Sequence, residues 1–185
     1  MREVQAVFHR TKEVNIYPLD GDRFLIEAML RDEVHDVHVE VEILHPELEI
    51  VAARSEVRNG PFTAVCNLTH PNMQGLVGMR VARGFTQAAR GVVGGVAGCH
   101  RVSELLVEVG QAAYQLHFIR FFGSLPPEVR NAEDDPLRRR GAVLNAVPGM
   151  RNTCFSYRDE NEHLVAERAT PLRLLEQTMP TRTVS

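Results

Sequence analysis

The stretch Gly98-Cys99-His100-Arg101-Val102-Ser103-Glu104-Leu105-Leu106 gathers a thiol, an imidazole, a guanidinium and a carboxylate within six residues. It opens an amphipathic run, which places Cys99 at a helix N-terminus. Unpaired N–H groups and the helix dipole favour an anion there and would lower the pKa of a thiol. The same position suits a small cysteine packed at a tight strand-to-helix junction, and both readings stand. His100 and Glu104 are candidate catalytic groups for proton transfer, and Arg101 is a candidate binder of an anionic substrate group. Glu104 is also simply a favourable charge for the first turn of a helix.

Two carboxylates near the N-terminus, Glu27 and Asp32, are further catalytic candidates. A carboxyl buried beside an apolar pocket has a raised pKa and can act as acid or base. Asp32 equally fits a turn residue bonding its own backbone. Arg10 could pair with Asp32 or with Glu104, or hold a substrate carboxylate. His70 is a candidate substrate-binding residue. The alternative chemistry is metal binding: Cys66 and His70 stand four apart across a helix start, and with Cys99 they could hold zinc or iron. His35 and His38 are three apart, so on a strand they face opposite sides and do not converge. Lys12 is the single lysine beside twenty arginines, so a Schiff base could use only Lys12 or the terminal amine.

Several chemistries lack their motif. The glycine run Gly91, Gly94, Gly95, Gly98 has no Gly-Lys-Ser/Thr ending and no Gly-x-Gly-x-x-Gly spacing, which argues against phosphate-loop and dinucleotide folds. There is no Gly-x-Ser-x-Gly elbow, no Cys-x-x-Cys, and no basic stripe with interleaved aromatics for nucleic acid.

These residues must be positioned by elements that periodicity makes visible. Val14 and Ile16, then Phe24, Ile26, Ala28 and Leu30, then Val37 to Ile43, alternate with polar residues as strands with one wet face do. Asp20-Gly21 and His45-Pro46 mark turns, and Leu48, Ile50 and Ala52 begin a fourth strand, stopped by Asn59-Gly60-Pro61. His70-Pro71 predicts a short helix ending near Gly78, and Phe85 to Val92 a second. From Cys99 to Phe122 the residues Val102, Leu105, Leu106, Val109, Ala112, Ala113, Leu116 and Ile119 predict one long helix, closed by Gly123 and Pro126-Pro127. Leu137 to Val147 predicts a further helix, Asn131 to Asp135 an acidic loop, and Arg138 to Arg140 a solvated face. The fold class that follows is α+β: an antiparallel meander, then short helices and one long helix on one face of the sheet. Residues 1–150 form the domain, and residues 151–185 an extension, partly extended or loose.

Composition agrees with an ordinary soluble domain. The chain has 185 residues, 44% hydrophobic and 24% charged, with net charge −3. A chain of this size buries roughly 70% of its unfolded surface and needs no metal or disulfide for stability. No bulk attraction to nucleic acid or membrane is expected, and no apolar run is long enough to span a bilayer. An odd, scattered set of cysteines (Cys66, Cys99, Cys154) without a signal peptide points to reduced thiols in the cytoplasm. Self-association is left open.

The chain resembles the bacterial domain of unknown function family 2889. That family's motif reads Gly-Cys-Thr-His-Leu-x-Glu-Leu-Leu at the start of a long helix, and Gly98, Cys99, Glu104, Leu105 and Leu106 match it in place. Cys66, Leu76-Val77-Gly78 and Gly84 match upstream, and Arg10, Tyr17, Asp20-Gly21, Glu27, Leu30 and Asp32 resemble the family's opening strands. Where the family has Thr-His, this chain has His100-Arg101, so the imidazole is displaced by about 100° around a helix. Only Cys99 carries over from the family's Cys/His pair. The architecture is also similar to iron–sulfur scaffold and sulfur-acceptor folds, in which Cys66 and Cys99 would fill two ligand places.

The expectation is an enzyme of bacterial catabolism using cofactor-independent acid/base chemistry on a small molecule, a lyase above all, because C–C or C–O cleavage can run on proton transfer alone. The resemblance implies a lignin-type aromatic substrate and loss of formaldehyde. The alternative is a zinc-, iron- or sulfur-binding accessory protein without turnover of its own.

Overall fold

The computed structural model describes residues 6–124 and 135–168. Four strands follow one another in sequence and in space: β1 (Arg10–Pro18), β2 (Arg23–Asp32), β3 (Asp36–Leu44) and β4 (Glu49–Asn59), every neighbour antiparallel. The expected meander is present. Its cause is the period-two pattern, which gives each strand one apolar row. Register stacks those rows: Val14 faces Ala28, Ala28 faces Val39, and Val37 faces Val57. Ile26, Ala28, Leu30, Val37, Val39, Val41, Ile43 and Ile50 are fully buried as a result. A slip of one residue would turn all of them outward.

The turns have identifiable local causes. Gly21 adopts a φ of +68°, as the Asp20-Gly21 corner requires. Between β2 and β3, Oδ1 of Asp32 accepts the backbone N–H groups of Val34 (2.9 Å) and His35 (2.7 Å). This is an Asx turn.

β4 is an edge strand, and its edge is blunted at two places. Near its start, Ile50 N–H donates to the Met79 carbonyl (2.8 Å), and Gly78 N–H to that of Ile50 (2.8 Å). Near its end, the Asn67 side chain accepts from Val57 N–H (2.9 Å) and donates to the Val57 carbonyl (3.1 Å). Arg54 and Ser55 lie on the strand between these two patches.

After β4 come α1 (Thr63–Cys66), a 3-10 helix (Asn67–Leu76), α2 (Phe85–Val93) and α3 (His100–Ser124). Helical turns therefore begin well before His70-Pro71, and Pro71 lies inside the 3-10 helix instead of opening one. Val102, Leu105, Leu106, Val109, Ala113 and Leu116 of α3 join the sheet's apolar face in one core. Ile119, the last member of the expected stripe, is 60% exposed. Before α3 the backbone closes tightly: Cys99 N–H donates to the Val93 carbonyl (2.8 Å), and a Cβ on Gly98 would lie 2.0 Å from that oxygen. Only glycine fits there.

Among the described residues, internal contacts divide the chain into two compact units, one up to His117 and one from Phe118 onward. The sequence placed a boundary at 150; the contacts divide within α3. The second unit contains α4 (Pro136–Ala146), α5 (Glu162–Arg168) and single helical turns at Pro148–Met150, Phe155–Tyr157 and Asp159–Asn161. Most of residues 155 to 168 are thus in helical turns where the sequence suggested extended chain. Arg140 is buried, not part of a solvated face: it donates to Glu162 (2.7 Å) and to the carbonyls of Ser156 (3.3 Å) and Arg158 (3.2 Å). A guanidinium's five donors let one residue tie these turns together. Residues 131–134 of the expected acidic loop, and 169–185 of the expected extension, lie outside the described residues. No helix among the described residues is long and apolar enough to cross a membrane.

Candidate functional site

Strand β1 and helix α3 bring several predicted residues into one ionic cluster. Alternation puts Arg10 and Lys12 on the helix-covered face of β1, and register sets Arg10 opposite Asp32. Arg10 donates through Nε (3.0 Å) and Nη2 (2.6 Å) to Oδ2 of Asp32, and its Nη1 lies 3.9 Å from Glu104. Lys12 sits between Glu104 (2.8 Å) and Glu108 (3.0 Å), four residues apart on one face of α3. Arg101 reaches the other oxygen of Glu104 (2.9 Å). Arg10 therefore pairs with both of the partners considered for it.

These contacts keep the carboxylates ionised. Burial alone would raise the pKa of Asp32, whose side chain is 1% exposed. The N–H groups of Val34 and His35, the Arg10 guanidinium and the His35 ring outweigh burial and hold it far below the usual carboxylate range. Glu104 is lowered in the same way: burial opposes ionisation, and the contacts with Lys12 and Arg101 prevail. Lys12 is raised, chiefly by its hydrogen bond to Glu104. Carboxylates satisfied to this degree neither give up a proton near neutrality nor readily release their cations to a substrate.

The other predicted residues do not converge on this cluster. Glu27 lies an odd number of positions from Asp32 on β2, so it projects from the opposite face, opposite Asn15 and Glu40 and 3.4 Å from the Tyr17 hydroxyl. His100 is exposed in the first turn of α3. Cys66 and Cys99 are half-buried and pack against the core. Asn72 donates to the Ala97 carbonyl (2.9 Å), so the segment after Cys66 does approach the segment before Cys99. Among the described residues, which include Cys66, His70 and Cys99, no three histidine, cysteine or acidic side chains are grouped so as to hold a metal ion.

A second place has the opposite character. A cleft of about 540 Å³ at the β4 edge is lined by His38, Glu40, Arg54, Ser55, Glu56, Arg58, Asn67 and His70. Four buried side-chain polar atoms of the described residues have no hydrogen-bond partner: Nδ1 of His38, Oγ of Ser55, Nε2 of His70 and Nε2 of His45. The first three belong to residues that line this cleft. His38 and Ser55 are more than nine-tenths buried. His70 has a lowered pKa because burial disfavours its charged form, an effect only partly opposed by Glu56. Its ring is neutral at pH 7. Of the residues singled out from sequence as site residues, only His70 is here. Ser55 was missed, and His38 was weighed only with His35 as a metal ligand and set aside, although one signal existed: Asp36 and His38 are two apart on a strand and so share a face.

The model of a family described as a protein of unknown function, DUF2889, matches residues 8–115. The chain belongs to that family. The DUF2889 match takes in all four strands and α3 as far as Gln115, and so includes both the ionic cluster and the cleft. No match is found among curated proteins or among solved structures.

Proposed function

We propose that this DUF2889 protein is a lyase that cleaves a small oxygenated molecule by proton transfer at the β4-edge cleft. The observation that carries the reading is the set of three buried, unpaired polar atoms on one cleft. More than about 90% of buried polar groups in proteins are hydrogen-bonded. Three exceptions among the residues that line one cleft, from both faces of the β4 edge, support a partner that comes from outside the chain. Two of them are imidazole nitrogens, groups able to accept and return protons near neutrality.

The substrate class we propose is a lignin-type aromatic bearing a primary alcohol and an aryl ether on the next carbon but one. One imidazole takes the hydroxyl proton. The carbon–carbon bond to the hydroxymethyl group breaks, and formaldehyde leaves. The bonding pair forms a carbon–carbon double bond and expels the aryl ether oxygen, which receives the proton held by the imidazolium just formed. Atoms and electrons balance without an oxidant. The three cysteines are free thiols, which fits a reducing compartment such as the cytoplasm.

The test is formaldehyde release from a panel of such dimers by the purified protein. We expect formaldehyde and alkene in equal amounts, and a loss of about 100-fold or more in His70→Gln. Absence of release from every dimer, or full activity in both His70→Gln and His38→Gln, would overturn the reading.

A further inference from the structure

We infer that the cleft selects an uncharged, hydroxyl-bearing ligand over an anion of the same shape, the hydroxyl donating to Nδ1 of His38. This deepens the lyase reading and rests on it for the location of the site.

The charged residues of the lining pair off. Arg54 bonds Glu40 across the strands, and Arg58 Nε donates to Glu56 (2.9 Å). Two cations and two anions leave no net field to draw in a negative ligand.

The protonation of His38 follows from its partner. Its Nε2 lies 2.9 Å from Oδ1 of Asp36, and the other oxygen of Asp36 lies 3.4 Å from Arg31. A carboxylate only accepts, so Nε2 carries the hydrogen, and in the neutral ring Nδ1 then presents a lone pair. A buried lone pair needs a donor. A carboxylate or phosphate brings none and would set its own charge against that lone pair, whereas an alcohol supplies one. The Ser55 hydroxyl can donate or accept, and the neutral ring of His70 offers no positive charge to an anion. Ser55 and His38 do not form a nucleophile–base pair: Ser55 stands opposite Val39 and His38 opposite Glu56, so they belong to opposite faces, and neither unpaired atom bonds the other.

The experiment uses the full chain labelled with ¹⁵N-histidine and two probes of one shape, 4-hydroxy-3-methoxybenzyl alcohol and the corresponding benzoate. In the free protein we expect Nε2 of His38 protonated and Nδ1 bare. The alcohol should shift the Nδ1 resonance saturably, bind at least tenfold tighter than the benzoate, and bind equally in low and high salt, since no screened charge pair is involved. His38→Gln, with its fold checked by circular dichroism, should lose alcohol binding. Benzoate binding as tight as the alcohol, an Nδ1-protonated His38, or no response to either probe would overturn the inference. These outcomes separate it from the reading it rests on. An alcohol bound as described but never cleaved defeats the lyase and leaves the selectivity. Faster formaldehyde release from carboxylate-bearing dimers than from their uncharged counterparts does the reverse.

Discussion

The ionic cluster on β1 and α3 and the cleft beside β4 are built from similar residue types on one sheet, yet their hydrogen-bond accounts are opposite. In the cluster, Asp32 receives Arg10, His35 and two backbone N–H groups, while Glu104 receives Lys12 and Arg101. In the cleft, His38, Ser55 and His70 each keep a buried atom unpaired. Satisfied charges stabilise a fold and resist change of protonation. Unsatisfied neutral groups cost stability, by roughly 1–3 kcal/mol each, and are retained where something else completes them. Charge density points to the cluster, whereas the unpaired groups point to the cleft.

The comparison breaks most visibly on the two imidazoles. His38→Gln and His70→Gln should each slow turnover by about 10²–10⁴-fold, the range lost with a general acid or base, with no drop in melting temperature. Unfolding in both would make them packing residues. Because burial lowers the pKa of His70 from 6.5, its basic form persists below that pH, so the acid limb of the rate profile should fall below pH 6.5 and vanish in His70→Gln.

Asp32→Ala should do the converse, costing about 3 kcal/mol in urea denaturation, because a part-buried guanidinium loses its partner and a turn its acceptor. Activity per folded molecule should be unchanged. The pH dependence has a definite sign. The folded pKa of Asp32 is lowered, so its contribution is complete above the unfolded carboxylate value of about 3.9 and is lost as pH falls through the folded one. Acid unfolding should be flatter in Asp32→Asn. Catalysis abolished in a folded Asp32 variant would move the active site to the cluster.

A smaller effect has the unusual sign. Ser55→Ala removes an orphaned buried hydroxyl and should raise stability by about 1 kcal/mol. Destabilisation there would show that the hydroxyl already has a partner. The smallest expected effect is Lys12→Met, less than about 1 kcal/mol and fading with added salt, since its pairs with Glu104 and Glu108 remain partly open to water.

The strands and α3 were legible because their cause is local. Alternation from Val37 to Ile43 names the buried face, and Val102, Leu105, Leu106 and Val109 name the face of the helix. Arg10 with Asp32 or Glu104 was legible as a set of complementary charges, but the choice between partners was not, because it depends on how β1 is registered against β2 and where α3 crosses. Glu27 shows the limit from the other side. It shares a segment with Asp32, yet its parity on β2 sends it to the opposite face. Arg140, one of three consecutive arginines, gives no local sign that it is the buried one.

Residue order alone determined an α+β meander with one dominant helix and its family, since periods of two and of three to four are written along the chain and the Gly-Cys motif is contiguous. Which polar groups remain without partners was decided only in three dimensions. Whether a nitrogen on His38 or His70 finds a donor depends on residues distant in sequence that the fold brings near, and that count closes only when every neighbour is in place.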